Sequence, residues 1–131
     1  MKPLSPEEHD VIWGKGTEKP FTGEYDAFYP KGGCFVCRAC DNPLYSALAK
    51  FNSGCGWPSF DKCFVGAVRT EADPSISGRL RTEILCAKCG GHLGHVFSGE
   101  RHTAANERHC VNSLSVRFRE GDLSTAEEKL L

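Results

Sequence analysis

The sequence predicts a mainly β protein folded as one domain over residues 1–131, and three observations carry that prediction. Two stretches, one near residue 80 and one near residue 110, alternate apolar and polar side chains with the period of a strand. Helix signals are confined to the two ends of the chain. The length, 131 residues, allows one hydrophobic core and is short for two.

Taken in order, Ser5-Pro6-Glu7-Glu8 reads as a capping box with proline at the first helical position, opening a short helix toward Trp13. From Gly14 to Gly33, glycines, prolines and aromatics predict an ordered but irregular wrap. Strand-like pieces follow. Arg79 to Cys86 places Leu80, Thr82, Ile84 and Cys86 on one face, as in a half-buried strand. The run from His109 to Glu120 reads as one continuous strand, with Cys110, Asn112, Leu114, Val116 and Phe118 facing inward. After Gly121, Ser124 with Glu127 signals a second cap and a short terminal helix. The core thus spans about 17–119, with helical appendages at both ends.

Sixteen basic against seventeen acidic residues leave a formal charge of −1, so nothing in the global electrostatics draws the chain to nucleic acid or an anionic membrane. The N-terminus lacks the apolar stretch of a secretory signal and carries acids that a transit peptide avoids. No apolar run is long enough to cross a bilayer. The expected compartment is the cytosol, and the expected state a monomer. Eight cysteines in a reducing space call for metal binding or redox chemistry.

Two Cys-x-x-Cys pairs, Cys37/Cys40 and Cys86/Cys89, each sit next to turn-forming residues. Two such turns bring four thiolates around one ion, and an all-sulfur set with no open position predicts one structural zinc. Zinc in such sites contributes about 10–16 kcal/mol to folding in small peptides. Cys34 forms an alternative frame with Cys37, and His92 and His95 lie close enough to Cys89 to be alternative ligands. A thioredoxin-like dithiol would need a βαβ context that the chain does not show.

Four cysteines remain. Cys110 stands beside Arg108 and His109, where a cation favours a thiolate. Cys55 lies between Gly54 and Gly56, in a backbone pliable enough to bring one sulfur to another. Cys34 and Cys63 have no comparable context and read as inert.

Cys37-x-x-Cys40, the run Gly54-Cys55-Gly56-Trp57-Pro58-Ser59-Phe60, Cys86-x-x-Cys89 continuing through His92 and His95 to Phe97, and Arg108-His109-Cys110-Val111-Asn112-Ser113 together resemble the methionine-R-sulfoxide reductases of the B type. The likeness runs in order from about Thr17 to Phe118. It implies two antiparallel β-sheets of the zinc-bearing β-tent type with short flanking helices, the zinc clamping loops away from the chemistry. It also implies reduction of the R epimer of methionine sulfoxide, free or within proteins, as repair under oxidative stress. In that family the residue matching Cys110 attacks the sulfoxide sulfur and becomes a sulfenic acid. The residue matching Cys55 then forms a disulfide with it, which thioredoxin reduces.

The chemistry asks for an acid to protonate the sulfoxide oxygen, and imidazole titrates in the right range. The resemblance favours His95 over His92. Asn112 is expected to hold that histidine or a water, Trp57 to wall the pocket for the substrate methyl, and Phe97 to join it. Residues 98–107 depart from the family's glycine- and proline-rich link, and His102 and His109 read as surface residues. Three rival readings are a zinc-binding adaptor or chaperone module, a nucleic-acid-binding zinc ribbon and a redox-sensing thiol protein. The first has no use for Cys110 with His95 and Asn112, the second lacks a basic stripe, and the third leaves Trp57 unexplained.

Overall fold

The computed structural model describes residues 3–76, 79–98, 107–120 and 128–129. Helix α1 (Pro6–Ile12) starts where the capping box predicts. Ser5 Oγ accepts from Glu8 N–H, and the Glu8 carboxylate accepts from Ser5 N–H. Residues 14 to 33 contain no strand or helix and wrap the domain through isolated backbone bonds.

The strands follow as β1 (Cys34–Cys37), β2 (Pro43–Ser46), β3 (Lys50–Phe51), β4 (Ser59–Phe60), β5 (Cys63–Phe64), β6 (Val68–Ile76), β7 (Arg79–Cys86), β8 (His92–Ser98), β9 (Glu107–Val111), β10 (Val116–Arg119) and β11 (Glu128–Lys129). They form two main antiparallel sheets. One has three strands in the order β10-β1-β2, the other six in the order β3-β4-β9-β8-β7-β6. A separate two-residue ladder joins β5 to β11. The terminal helix expected from Ser124 falls on residues outside those described, and the described residues after it, Glu128–Lys129, pair as strand.

The two sheets enclose a core in which Phe35, Tyr45, Phe60, Ile84, Leu93 and Val111 are buried. Tyr45 stacks on Phe60 with ring centroids 4.4 Å apart, and Phe35 meets Phe60 edge-on at 5.1 Å. Such aromatic pairs contribute about 0.5–1.5 kcal/mol each beyond their burial.

The expected continuous strand from His109 to Glu120 is broken. β9 ends at Val111, a single 3-10 turn occupies Ser113–Ser115, and β10 continues in the other sheet. Local polar groups cause the break. Ser115 N–H bonds Asn112 O, Leu114 N–H bonds the Glu18 carboxylate, and Ser113 Oγ accepts from Tyr25 N–H. These bonds replace the ladder partners that a straight strand would need. The alternation in β7 also understates its burial. Ile84 and Cys86 are buried as expected, and so are Glu83 and Leu85 on the opposite face.

Candidate active site and metal centre

The register of the six-stranded sheet assembles the site. Cys110 on β9 lies directly between Ser59 on β4 and His95 on β8, and His95 in turn lies opposite Glu83 on β7. Directly opposed residues in antiparallel ladders share a face. Ser59, Cys110, His95 and Glu83 therefore form one row across four strands. His92 and His95, three residues apart, would point to opposite faces of a regular strand. A bulge shifts the register so that Ile84 pairs Gly94 and Leu85 pairs His92, and the two imidazoles come together with centroids 5.5 Å apart.

The loop between β3 and β4 brings in the second thiol. Gly56 has φ +95°, and a Cβ there would lie 2.6 Å from the Pro20 side chain, so only glycine lets the loop pack beneath the wrap. Phe21 N–H donates to Gly56 O at 2.7 Å, pinning that contact. Cys55 Sγ consequently sits 3.6 Å from Cys110 Sγ, with both thiols half-buried. Disulfide formation needs the sulfurs to close by about 1.5 Å, to the ~2.05 Å of an S–S bond.

These two sulfurs share one proton. The Cys110 thiol, donating to Cys55, holds Cys55 down at about 4, helped by Ser53, Ser59 and the backbone at Trp57 and opposed by burial. Cys110 is pushed up by that same bond, then by burial and by the Cys55 charge, while the Arg108 guanidinium pulls it down. One thiolate is thus easily formed in the pair, and the second proton is hard to remove.

Around the thiols lies a cavity of about 200 Å³. Of the predicted residues, Cys55, Cys110, His95, Asn112, Trp57 and Phe97 line it. Thr17, Gly94 and Arg108 complete the wall. Arg108 covers the Phe97 ring, 4.3 Å from its centroid, which holds a cation beside the apolar wall. Trp57 is oriented by its indole N–H, which donates to Glu18 O at 3.0 Å.

His92 stands behind the cavity, buried, with Nδ1 2.8 Å from Glu83 Oε2; Lys15 Nζ lies 3.2 Å from the other Glu83 oxygen. Burial pushes the His92 imidazole down, and Glu83 pulls it back up. Asn112 lines the cavity, but its amide is engaged with backbone: Oδ1 accepts from Glu18 N–H at 3.1 Å and Nδ2 donates to Leu93 O at 3.2 Å. It fixes the wrap rather than holding His95 through those bonds.

His109, expected at the surface, is fully buried between Tyr45 Oη (2.9 Å) and Glu107 Oε1 (3.1 Å). Both ring nitrogens find partners there, so an imidazole fits a core position. His102 and residues 99–106 lie outside the described residues. Cys34 and Cys63 are buried, and burial raises the Cys34 thiol. Sequence reasoning missed Glu18, Glu83, Ser53 and Ser59. Glu18 and Glu83 act through pairing between separate segments, whereas Ser53 and Ser59 flank Cys55 in one local run and carried a local signal.

The metal centre lies where β1 and β7 end. Cys37, Cys40, Cys86 and Cys89 place their sulfurs within 4.8 Å of one another, and among the described residues neither Cys34 nor a histidine joins that group. Two sulfur separations are 3.7 Å (Cys37–Cys89) and 3.6 Å (Cys40–Cys86). A tetrahedron with ~2.3 Å zinc–sulfur bonds has edges of about 3.8 Å. The donor set therefore fits a metal ion of that kind. Gly91 N–H and Asn42 Nδ2 point to Cys89 and Cys86 sulfurs, supporting them as an outer shell does.

Comparison with known proteins identifies the family. The SelR domain model matches residues 4–120. Peptide methionine sulfoxide reductase B5 of Arabidopsis thaliana is 54% identical over 88% of this chain and 81% of its own length. Its namesake in Oryza sativa subsp. japonica is 53% identical over 88% of this chain and 82% of its own. A longer rice relative, peptide methionine sulfoxide reductase B3, chloroplastic, is 54% identical, with 49% of its length covered. No helix among the described residues is long and apolar enough to cross a membrane. A SelR match over nearly the whole chain, with relatives above half identity, establishes that the chain belongs to the SelR-domain family of type B peptide methionine sulfoxide reductases.

Proposed function

We propose that the chain reduces the R epimer of methionine sulfoxide, with Cys110 as nucleophile, Cys55 as resolving thiol and thioredoxin as the source of electrons. The observation that carries this reading is the 3.6 Å approach of Cys55 to Cys110 in a cavity lined by Trp57 and Phe97, with His95 directly across the ladder. The apolar wall suits the methyl group; the charge of the resting pair lies on Cys55, and Arg108 partly offsets this by pulling the Cys110 thiol down, so that Cys110 becomes the nucleophile as its proton passes to Cys55.

The Cys110 thiolate attacks the sulfoxide sulfur while His95 supplies the proton to its oxygen. The protonated oxygen then passes as hydroxyl from the substrate sulfur to Cys110 Sγ while the bond between the two sulfurs breaks, so that methionine leaves reduced and Cys110 is left as a sulfenic acid. Cys55 then attacks that sulfur, the S–O bond breaks, water departs and a disulfide forms. A dithiol reductant restores both thiols. Trp57, held through Glu18, keeps the pocket shaped, and the Glu83–His92 pair supports His95 from behind. Zinc, bound by Cys37, Cys40, Cys86 and Cys89, supplies a structural clamp and no electrons. A reducing compartment, the cytosol in the first instance, suits eight free thiols.

The test is an epimer-resolved reduction assay run with thioredoxin and with dithiothreitol side by side. Cys110→Ser should abolish both activities, and full activity in that variant overturns the mechanism. Cys55→Ser should still release one methionine per chain but lose thioredoxin-driven turnover. Retained turnover there would transfer the resolving role away from Cys55.

A further inference from the structure

The Cys55 sulfur is held by a closed set of hydrogen-bonding groups that the reaction scheme leaves unused. Ser59 Oγ lies 3.4 Å from Cys55 Sγ, 2.8 Å from Ser53 Oγ and 3.2 Å from Trp57 O. Ser53 Oγ accepts from Cys55 N–H at 3.4 Å, and Cys55 Sγ lies 3.5 Å from Trp57 O. Ser59 is 1% exposed and sits opposite Cys110 in the ladder, so its hydroxyl approaches from the strand and not from solvent.

A serine hydroxyl has one hydrogen and two acceptor sites. When Cys55 carries its proton, the thiol can donate to Trp57 O or Ser59 Oγ, and Ser59 gives its own hydrogen to Trp57 O. When Cys55 is ionised, Ser59 can turn its hydrogen onto the sulfur. Ser53 then donates to Ser59, and Cys55 N–H donates to Ser53. The chain of donors closes on the thiolate, and each bond polarises the next.

We infer that Ser59, backed by Ser53, is a positioning residue for the resolving step, turning its hydroxyl onto the Cys55 sulfur as that sulfur prepares to attack the Cys110 sulfenic acid. The inference rests on Cys55 being the resolving thiol. In the step itself the Cys55–Cys110 S–S bond forms as the S–O bond of the sulfenic acid breaks. The oxygen leaves with its own hydrogen and the proton given up by Cys55, as water. Cys55 is oxidised from thiol to disulfide, and the Cys110 sulfenic sulfur is reduced to the same level. Side-chain bonds from Ser53 and Ser59 come after the Cys110 bond among the influences lowering Cys55. Once Cys110 has become a sulfenic acid its thiol no longer donates, and the serines remain. The other titratable groups facing this sulfur are Tyr29 from the wrap and, across the cavity, His95 and Arg108.

The experiment mixes fully reduced, zinc-loaded enzyme with methionine-R-sulfoxide without external reductant. It follows methionine release by chromatography and the Cys55–Cys110 disulfide by acid quench, alkylation and peptide mass, from pH 5 to 9. In Ser59→Ala the disulfide rate should fall about tenfold at neutral pH relative to methionine release, its pH midpoint moving upward, as expected for a tenfold smaller thiolate fraction. Ser53→Ala should shift the midpoint in the same direction by less, and Ser59→Thr should restore it. Should Ser59→Ala fail to fold, the Ser53→Ala midpoint decides. An unchanged disulfide rate and midpoint overturn the inference, as does an equal fall in both steps without a pH shift, which marks a merely structural serine. Cys55→Ser run in parallel separates the two failures. If that variant still turns over with thioredoxin, the resolving assignment is wrong, and if it does not, only the role of the serines is.

Discussion

Asn112→Ala and Asn112→Asp should rank in a way that only the observed hydrogen bonds dictate. Asn112 is 3% exposed, and its amide accepts from Glu18 N–H and donates to Leu93 O. Alanine removes both bonds. Leu93 O keeps a partner, because Asn112 N–H also donates to it at 2.9 Å. Glu18 N–H does not, and Glu18 is 7% exposed. A lost bond contributes about 1 kcal/mol and a stranded buried donor costs about 1–3 kcal/mol, so the alanine variant should lose roughly 2–4 kcal/mol. Aspartate keeps the acceptor for Glu18 but sets a second oxygen against Leu93 O and buries a new charge; the cation lining the same cavity, Arg108, lies over the Phe97 ring. Burying a charge without a partner costs several kcal/mol, so aspartate should be worse than alanine despite its identical shape. Urea denaturation of the zinc-loaded protein at pH 7 measures the ranking, with Tm falling by roughly 4 °C per kcal/mol. Because Glu18 O holds Trp57, KM should rise in both variants. An aspartate variant as stable as the natural protein would refute the reasoning and return Asn112 to the role of a histidine holder.

Three more expectations follow from the geometry. Cys86→Ser should lose its zinc and unfold, whereas Cys110→Ser should keep about one zinc per chain; metal analysis with circular dichroism distinguishes them, and a stably folded, metal-free Cys86→Ser protein would contradict the clamp. Burial depresses His92 and His109, so just below the ordinary histidine value of about 6.5 the unfolded chain takes up protons that the folded chain refuses; stability should fall as pH drops through that window and hold above it. His109→Gln should flatten part of that fall in denaturation midpoints between pH 7 and 5, and an unaltered slope would place the acid sensitivity elsewhere. In Gly94→Ala the new Cβ would lie 1.8 Å from Cys110 O, forcing β8 and β9 apart; a loss of about 3 kcal/mol or more, with activity falling in parallel, is expected from overpacking a ladder.

What the sequence made legible was local. Two cysteines separated by two residues must converge, so the metal ligands could be read without knowing which strands carry them. The motifs around Cys55 and Cys110 singled out the two thiols that the structure brings to 3.6 Å of each other. The break after Val111 could not be read from alternation, because Asn112 to Val116 keeps the period of a strand while leaving the sheet. What diverts it comes from far away in sequence: the Glu18 carboxylate on Leu114 N–H, and Tyr25 N–H on Ser113 Oγ. The cluster of Asn112, Ser113 and Ser115 was the available sign, since small polar side chains compete for backbone bonds. His109 was misjudged because polarity was taken to mean exposure, and Glu83 was passed over. Each is buried against a partner from elsewhere in the fold, His109 against Tyr45 of the other sheet and Glu83 against His92 of the neighbouring strand.

The same break shows how a metal held by the four cysteines would support a reaction that it takes no part in. Arg38 sits between Cys37 and Cys40 in the metal-binding turn, and its guanidinium donates to Val116 O and Ser113 O, on either side of the 3-10 turn. Arg38 N–H donates to Ser115 O, and Arg117 pairs with Asp41 at the end of the same metal-binding turn. Glu8 and Glu24 hold the guanidinium from α1 and the wrap. Both pairs are partly screened, so their value lies in fixing the fork rather than in Coulomb energy. Cys110 is three residues before Ser113, where this turn begins, and Asn112, its N-cap, anchors Glu18 and through Glu18 the Trp57 ring. Loosening the thiolate clamp would free Arg38 and then the crossing between the sheets. The first part of the site to lose its geometry would be the wall that the wrap holds, the Trp57 indole and the Cys55 loop pinned through Gly56, while Cys110, laddered between Ser59 and His95, would be lost later.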